Sequence, residues 1–533
     1  MKRALALFLA VLMTMALVAC GGTETEQKSD EKQQTTLTDV SEINKQQEVQ
    51  TDTSKTYKKA LKVALDQEIV QIDPQLKTGN SNDILYFLMY NQLVAFDWDT
   101  NTVKPELAES WDAESATSYV FHLRKDVTFS NGEPLTADDV VFTFTERPAL
   151  VSGTTGTGIW NMLEGVDAVD EYTVRFRLNT QDADLPLELF AASMSIFNRE
   201  ACTADPEHGH EIGTAGWTLK DWSANNYVHL VRNDSSWVWK ELGETPTEEL
   251  TLTSMTEGAA RGVALQNKEV AATNAVAKAD VAALRDAGVQ VMTFPAQTLY
   301  YYCYNMKSGV FADNADLRKA VAYAVNYDDI VTAMTDGLGR HAYTLWGLNQ
   351  YGYYDEFAEK NDRDVAKAKE YLTKAGYPNG IEVTLTCVTA HEKIATLMQA
   401  QLKEAGITLN ISATDSAGVT AAVKEGSYEM LLYNISLQTL GNRFAFICEE
   451  GNATNRANYV DPDMKAKFTA AKGEMDDAKR KALYREIQET VNEVKPYVPI
   501  YYATANVGWC EGVTGIIWSA DTKADFTSIR WEE

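Results

Sequence analysis

Residues able to do chemistry are plentiful in this chain, but few stand in the spacings that chemistry needs. Asp205-Pro206-Glu207-His208-Gly209-His210-Glu211 gathers two imidazoles and three carboxylates in one short run, a donor set that suits a divalent metal. No helix or strand is signalled there to fix the donors, so the run reads as a solvated loop. His391-Glu392 opens like the H-E-x-x-H of zinc proteases, but Ala395 occupies the second histidine position. Gly156-Thr157-Gly158 lacks the further glycine of a dinucleotide loop, and neither G-x-S-x-G nor G-x-x-x-x-G-K-[ST] occurs. With 76 Asp and Glu in the chain, chance carboxylate pairs are inevitable and none points to acid–base work. The expectation is a protein that is not an enzyme and carries no cofactor or metal. Met430–Cys448, MLLYNISLQTLGNRFAFIC, is of another kind. It contains no acid but offers Asn434, Gln438, Asn442, Arg443 and Phe444. Amides beside aromatics suit a neutral polyhydroxy ligand or a peptide backbone, and a guanidinium suits a carboxylate. The alternative is that Phe444 and Phe446 are core and Arg443 is surface. Asn305 and Trp346 complete the candidate ligand-binding set.

The elements that must position these residues are legible from periodicity. Tyr57–Val70 opens with a strand and turns at Ile72-Asp73-Pro74, and Asp83–Val94 has helical spacing. Ser118–Arg124 alternates, with Tyr119, Phe121 and Leu123 on one face, and Tyr172–Leu178 alternates likewise; together they predict a small antiparallel sheet with one wet side. After the turn Ser130–Pro134, Thr136 is a helix N-cap with Asp139 three residues on. From Leu299–Asn305, a strand, the pattern becomes α/β. Helices are predicted over Asp313–Met334, Asp362–Ala375, His391–Ala405 and Ser416–Glu425, the last three stopped by Gly376, Gly406 and Gly426. Strands are predicted at Ile381–Val388, Ile407–Thr414 and Glu429–Ile435. Helices Asp461–Lys472 and Asp476–Val494 and a strand Tyr497–Thr504 follow. This alternation implies a mainly parallel sheet covered on both faces.

Met1–Cys20 has a charged start, Lys2-Arg3, and an apolar run, Ala4–Ala16, too short to span a bilayer comfortably. Its end, Leu17-Val18-Ala19-Cys20, resembles a bacterial lipobox, which would make Cys20 the lipidated first residue of the mature chain. Gly21–Lys55 is polar, without an aromatic, and reads as a disordered tether. As a flexible coil of about 35 residues it would reach roughly 30–35 Å. The rest is too long for one core. The whole chain's formal charge of −28 repels nucleic acid and anionic lipid headgroups. Cys202, Cys303, Cys387, Cys448 and Cys510 are scattered, without metal-ligand spacing, and Cys303 and Cys387 read as buried free thiols.

One stretch carries a family resemblance. Leu107–Trp111 (LAESW), Phe121, Leu123-Arg124-Lys125, Val127, Phe129, Gly132, Pro134–Ala137 and Asp139-Val140 follow, in order and spacing, the signature of the family 5 bacterial extracellular solute-binding proteins. Gly213–Trp217, Tyr227–Asn233 with Trp237, and Gly262–Val270 resemble further family segments. The resemblance runs from about Tyr57 to Gly515. It implies an α/β, two-lobed, hinged fold of the periplasmic-binding-protein type (type II), with an extra small α+β subdomain in the first lobe. The implied order is signal peptide 1–20, tether 21–56, first lobe 57–95, extra subdomain 96–212, first lobe again 213–298, second lobe 299–496, and a return to the first lobe at 497–533. It further implies a monomeric receptor on the outer face of the cytoplasmic membrane, held only by its lipid anchor, that hands a solute to an ABC permease. A ligand-sensing subunit is the alternative. The family's commonest ligand is a peptide; an oligosaccharide and a metal chelate come next. Peptide-binding relatives place an aspartate after the strand equivalent to Glu429–Ile435 to hold the peptide's amino group. That acid is missing here, and Asp66, Glu68 or Asp73 could supply it from the first lobe.

Overall fold

Two long strands, Gln290–Tyr304 and Tyr497–Trp509, run antiparallel through the middle of the molecule and belong to both of its lobes. The structure is a computed structural model; it describes residues 40–47 and 54–533, apart from 77–78, 98–101, 152–156, 244, 348–349, 358–359, 361, 437–439 and 520–522. The signal peptide with Cys20, and most of the tether, lie outside the described residues.

The long pair is the centre of an eleven-stranded sheet. On the Tyr497–Trp509 side lie, in order, Ala272–Thr273, Ala60–Leu65, Glu249–Ser254, Tyr227–Arg232 and Trp217–Ser223. On the other side lie Met430–Ile435, Ile381–Val388 and Ile407–Thr414. The long pair keeps register from Gln290 opposite Trp509 until Pro295, then shifts between Pro295 and Leu299 and again between Tyr300 and Tyr301. The cores change at the same place. Val291, Phe294, Val507 and Trp509 pack with Val63 and Leu252, whereas Tyr302, Tyr304, Val498 and Ile500 pack with Leu385 and Ile407. A second-lobe core on the other sheet face joins Tyr301 and Tyr497 to the helices Leu440–Cys448, Pro462–Gly473 and Asp477–Val494. A bulged strand pair between separately packed cores is where a hinge belongs.

The extra subdomain is a four-stranded antiparallel sheet ordered Ala108–Ser115, Ser118–Leu123, Thr173–Leu178, Leu163–Asp170. Tyr119, Phe121, Leu123, Val174 and Phe176 fill its core, as the alternation requires. Asp139 accepts hydrogen bonds from the Thr136 backbone N–H and hydroxyl, at 2.9 and 3.1 Å, at the start of the Ala137–Val141 helix.

Several boundaries differ from the sequence reading. Within the expected tether, Val40–Gln46 is a helix whose Ile43 is fully buried in the first-lobe core. One isoleucine suffices because Asn44 exchanges two hydrogen bonds with the Trp518 backbone, at 3.0 and 2.8 Å. The subdomain closes near Ile196, since Phe197 and Cys202 already pack in the first lobe, and Trp237, Val238 and Trp239 return to its core. The chain re-enters the first lobe after Tyr502, inside the long strand. The helix expected over Asp313–Met334 is two, Ala315–Ala324 and Tyr327–Thr335. Val325 is extended, and the Asn326 side chain caps the second helix by accepting from Asp329 N–H, so a local polar bond outcompetes continuation. The five described cysteines are buried and free.

Candidate functional site

In open α/β sheets, ligands sit beyond the carboxyl ends of the parallel strands. Both lobes aim those ends at the crossing segment. Ala60–Leu65, Ala272–Thr273 and Glu249–Ser254 end toward it from one side, delivering Asp66, Asn274 and Met255. Met430–Ile435 and Ile381–Val388 end toward it from the other, delivering Ser436 and His391. Tyr300 and Tyr501, on the crossing strands, stack at 4.6 Å with planes 6° apart, and His391 meets Tyr300 edge-on at 5.2 Å. Asp66 accepts from Asn274 Nδ2 at 2.8 Å.

The helix Leu440–Cys448 begins just past the end of its strand and carries Arg443. Arg443 is 1 % exposed. Its guanidinium lies 4.6 Å from the ring centroid of Trp346 and donates one hydrogen bond, to Gln350 Oε1. Nε and Nη1 have no partner, and neither has the Trp346 indole N–H. Tyr484 and Tyr502 are the polar neighbours that favour its charge, and burial pushes its pKa down to about 9. The buried guanidinium thus faces two phenols, an amide and an indole.

Near Trp346 the extra subdomain meets the second lobe. Asp182 pairs with Lys472 at 3.4 Å and Asp184 with Arg480 at 3.1 Å. The Tyr484 hydroxyl donates to Asp184 at 2.8 Å, and Ala183 N–H donates to the Lys472 carbonyl at 2.6 Å. Burial pushes Asp184 up to about 6, against the opposing pull of Arg480. Tyr484 links this seam to Arg443's surroundings, its ring 6.4 Å from Trp346.

The structure therefore brings Trp346 and Arg443 together. Phe444 packs edge-on against Phe468 at 5.5 Å, partly buried beside the second-lobe core. Asn434 lies half-buried on its strand, opposite Tyr300. The Asn442 side chain lies outside the described residues. The Asn305 amide donates to the Gly426 and Tyr428 carbonyls, both at 3.1 Å, and its Oδ1 accepts from Lys307 N–H, so it staples the strand end. Asp73 is also taken. It pairs with Arg147 at 2.5 Å with both side chains buried, which leaves Asp66 and the exposed Glu68 as first-lobe acids at the strand ends. His208 bonds Glu211 at 3.0 Å in an exposed turn, and no metal-binding cluster occurs among the described residues. Gln350, Tyr484, Tyr502 and Asp184 were not legible as site residues, because no spacing in the chain relates them.

Strand ends of two lobes converging on a bulged crossing pair define a two-lobed binding protein of the periplasmic type. The model of the bacterial extracellular solute-binding proteins, family 5 (middle region), matches residues 102–446. The chain belongs to that family, whose members bind peptides or other small solutes and work with ABC permeases. It is 28% identical to the dipeptide-binding protein of Pseudomonas aeruginosa over 486 residues, which is 83% of this chain and 89% of that one. It is 26% identical to heme-binding protein A of Haemophilus influenzae over 470 residues, 81% of this chain and 84% of that one. Among solved structures, HbpA2 from Haemophilus parasuis superposes with a TM-score of 0.80 at 22% identity, covering 89% of this chain and 100% of that one. DppA from Helicobacter pylori in complex with the peptide STSA gives 0.69 at 22% identity, covering 92% and 100%. No helix among the described residues is long and apolar enough to cross a membrane.

Proposed function

We propose that this protein is a lipid-anchored, monomeric receptor that captures a short peptide with a free carboxyl terminus between its lobes and delivers it to an ABC permease. The observation that carries the ligand class is Arg443, enclosed with two of its nitrogens unpaired. The peptide carboxylate accepts charge-assisted hydrogen bonds from the unpaired N–H groups of Arg443. The peptide amino group goes to Asp66 across the cleft, since Met430–Cys448 holds no acid and Asp73 is spent on Arg147. The backbone is read by Asn434 and by the tyrosines of the crossing strands. Lobe closure is driven by the contacts the ligand makes with both lobes at once. The names of the relatives support a peptide: several are dipeptide- or di/tripeptide-binding proteins. The Leu17–Cys20 segment supports the anchor on the outer face of the cytoplasmic membrane. The protein binds and releases its ligand unaltered.

A thermal-shift comparison tests this. A dipeptide, its N-acetyl form, its C-terminal amide, a maltooligosaccharide and nickel–histidine are each titrated to saturation. A ligand at 100 times its dissociation constant adds about 2.7 kcal/mol of stability. The free dipeptide stabilises and both blocked forms lose most of the shift. Equal stabilisation by the amide refutes the carboxylate reading. A shift with only the sugar or only the nickel chelate replaces the ligand class.

A further inference from the structure

A cavity of about 320 Å³ opens in the first lobe, between its carboxyl-terminal segment, the Val94–Asp97 and Thr102–Pro105 hairpin, and the Val238–Leu242 helix. None of its lining residues comes from the second lobe, so it is separate from the inter-lobe cleft. Lys104, Pro105 and Glu106, which lead into the family signature, stand on its wall.

Its chemistry is uneven. Glu106 and Asp525 both line it. Glu106 accepts from Asn91 Nδ2 at 2.8 Å and from Gln92 N–H at 3.0 Å, and Asp525 accepts from Thr527 N–H at 2.7 Å. These bonds hold the two carboxyl groups in place. Two other charged lining groups have ion partners: Lys523 is 2.9 Å from Asp83, and Glu241 is 2.5 Å from Arg124. Burial pushes Glu106 up to about 7 and raises Asp525 as well, while the charge of Lys104, on the same wall, opposes both rises. Around them the wall is aromatic, with Phe96 and Phe190 at 5.0 Å and Trp237 beside them. Trp237, which lines the cavity, is 4 % exposed, and its indole N–H has no hydrogen-bond partner. The lining includes Leu242 and Ile517, which are among the large apolar side chains left exposed in the described residues.

We propose that this cavity is a second ligand site, which takes a small organic ammonium with an apolar body and a hydrogen-bond acceptor away from its charge. The ammonium lies between Glu106 and Asp525, the body lies along Phe96 and Phe190, and the acceptor receives the Trp237 N–H. Carboxylates set among aromatic faces select cations over neutral isosteres, because both the charges and the ring quadrupoles favour a positive guest.

Tyramine is the probe, with tyrosol as its neutral isostere and 4-hydroxyphenylacetate as its anionic one. Calorimetric titration of the full-length protein is expected to give saturable tyramine binding and none for the other two. Glu106→Gln is expected to weaken tyramine at least tenfold and Trp237→Phe about threefold, with thermal midpoints confirming that both fold. Ala95→Phe, which fills the cavity from the hairpin, is expected to abolish binding. Arg443→Met, in the second lobe, leaves it unchanged. Absence of saturable binding at millimolar tyramine, equal binding of tyrosol, undiminished binding by Ala95→Phe, or loss of binding in Arg443→Met overturns the proposal.

Discussion

Replacing Arg443 by methionine separates a ligand-binding arginine from a structural one by the sign of its effect. The side chain is 1 % exposed, and its one hydrogen bond goes to an oxygen, Gln350 Oε1, that also accepts from Gly347 N–H. Methionine therefore leaves that acceptor satisfied. Burial lowers the guanidinium pKa to about 9, and a depression of that size is worth about 5 kcal/mol of lost solvation of the charged form. The Trp346 ring returns ~1–2 kcal/mol of this. Exchange of buried ions for apolar residues of similar size elsewhere has gained ~1–4 kcal/mol, and a gain of that order is expected here for the unliganded protein. The pH dependence has a definite sign. Between about 9 and the ordinary arginine pKa the unfolded chain binds the extra proton, so wild-type stability rises with pH there, while below 9 the cost is constant. Arg443→Met lacks that rise. Urea unfolding at pH 7 and pH 10, resolved by calorimetry because two lobes need not unfold together, reads both effects. Titration with the stabilising dipeptide reads the third: affinity falls more than tenfold, or about 1.4 kcal/mol. A variant that unfolds more easily than wild type yet binds the peptide equally well refutes the argument and makes Arg443 a packing residue.

Three further outcomes are expected. Arg147→Met leaves Asp73 buried without its partner and destabilises the first lobe by about 3–5 kcal/mol, read from its denaturation midpoint. Asp184, held at about 6 in the assembled seam and near 4 when exposed, takes up a proton on assembly between those values. Stability therefore falls as pH rises through about 4 to 6; Asp184→Asn flattens that slope in pH-dependent melting. Cys20→Ala moves the protein from the detergent phase to the aqueous phase on Triton X-114 partitioning; wild type found in the aqueous phase refutes the anchor.

Local pattern in the sequence was enough to determine most of the elements. Strict alternation put Tyr119, Phe121 and Leu123 in the subdomain core. Gly376 and Gly426 stop their helices at positive φ, where other residues are strained. The spacing from Leu107 to Val140 determined the family, and with it the expectation of two lobes. What needed the tertiary structure was every property that depends on which distant groups meet. The sequence lists Asp73 and Asp66 as equal acids; only folding gives Arg147 to one and Asn274 to the other. Nothing local in the sequence shows that the Asn305 amide bonds two carbonyls more than a hundred residues away. The hinge does not fall at an element boundary, since the long strands run unbroken while their side chains pass from one core to another. The isolation of Arg443 belongs to the same class. Desolvation and pairing are sums over neighbours, and those neighbours, Trp346, Gln350, Tyr484 and Tyr502, come together only when the second lobe packs.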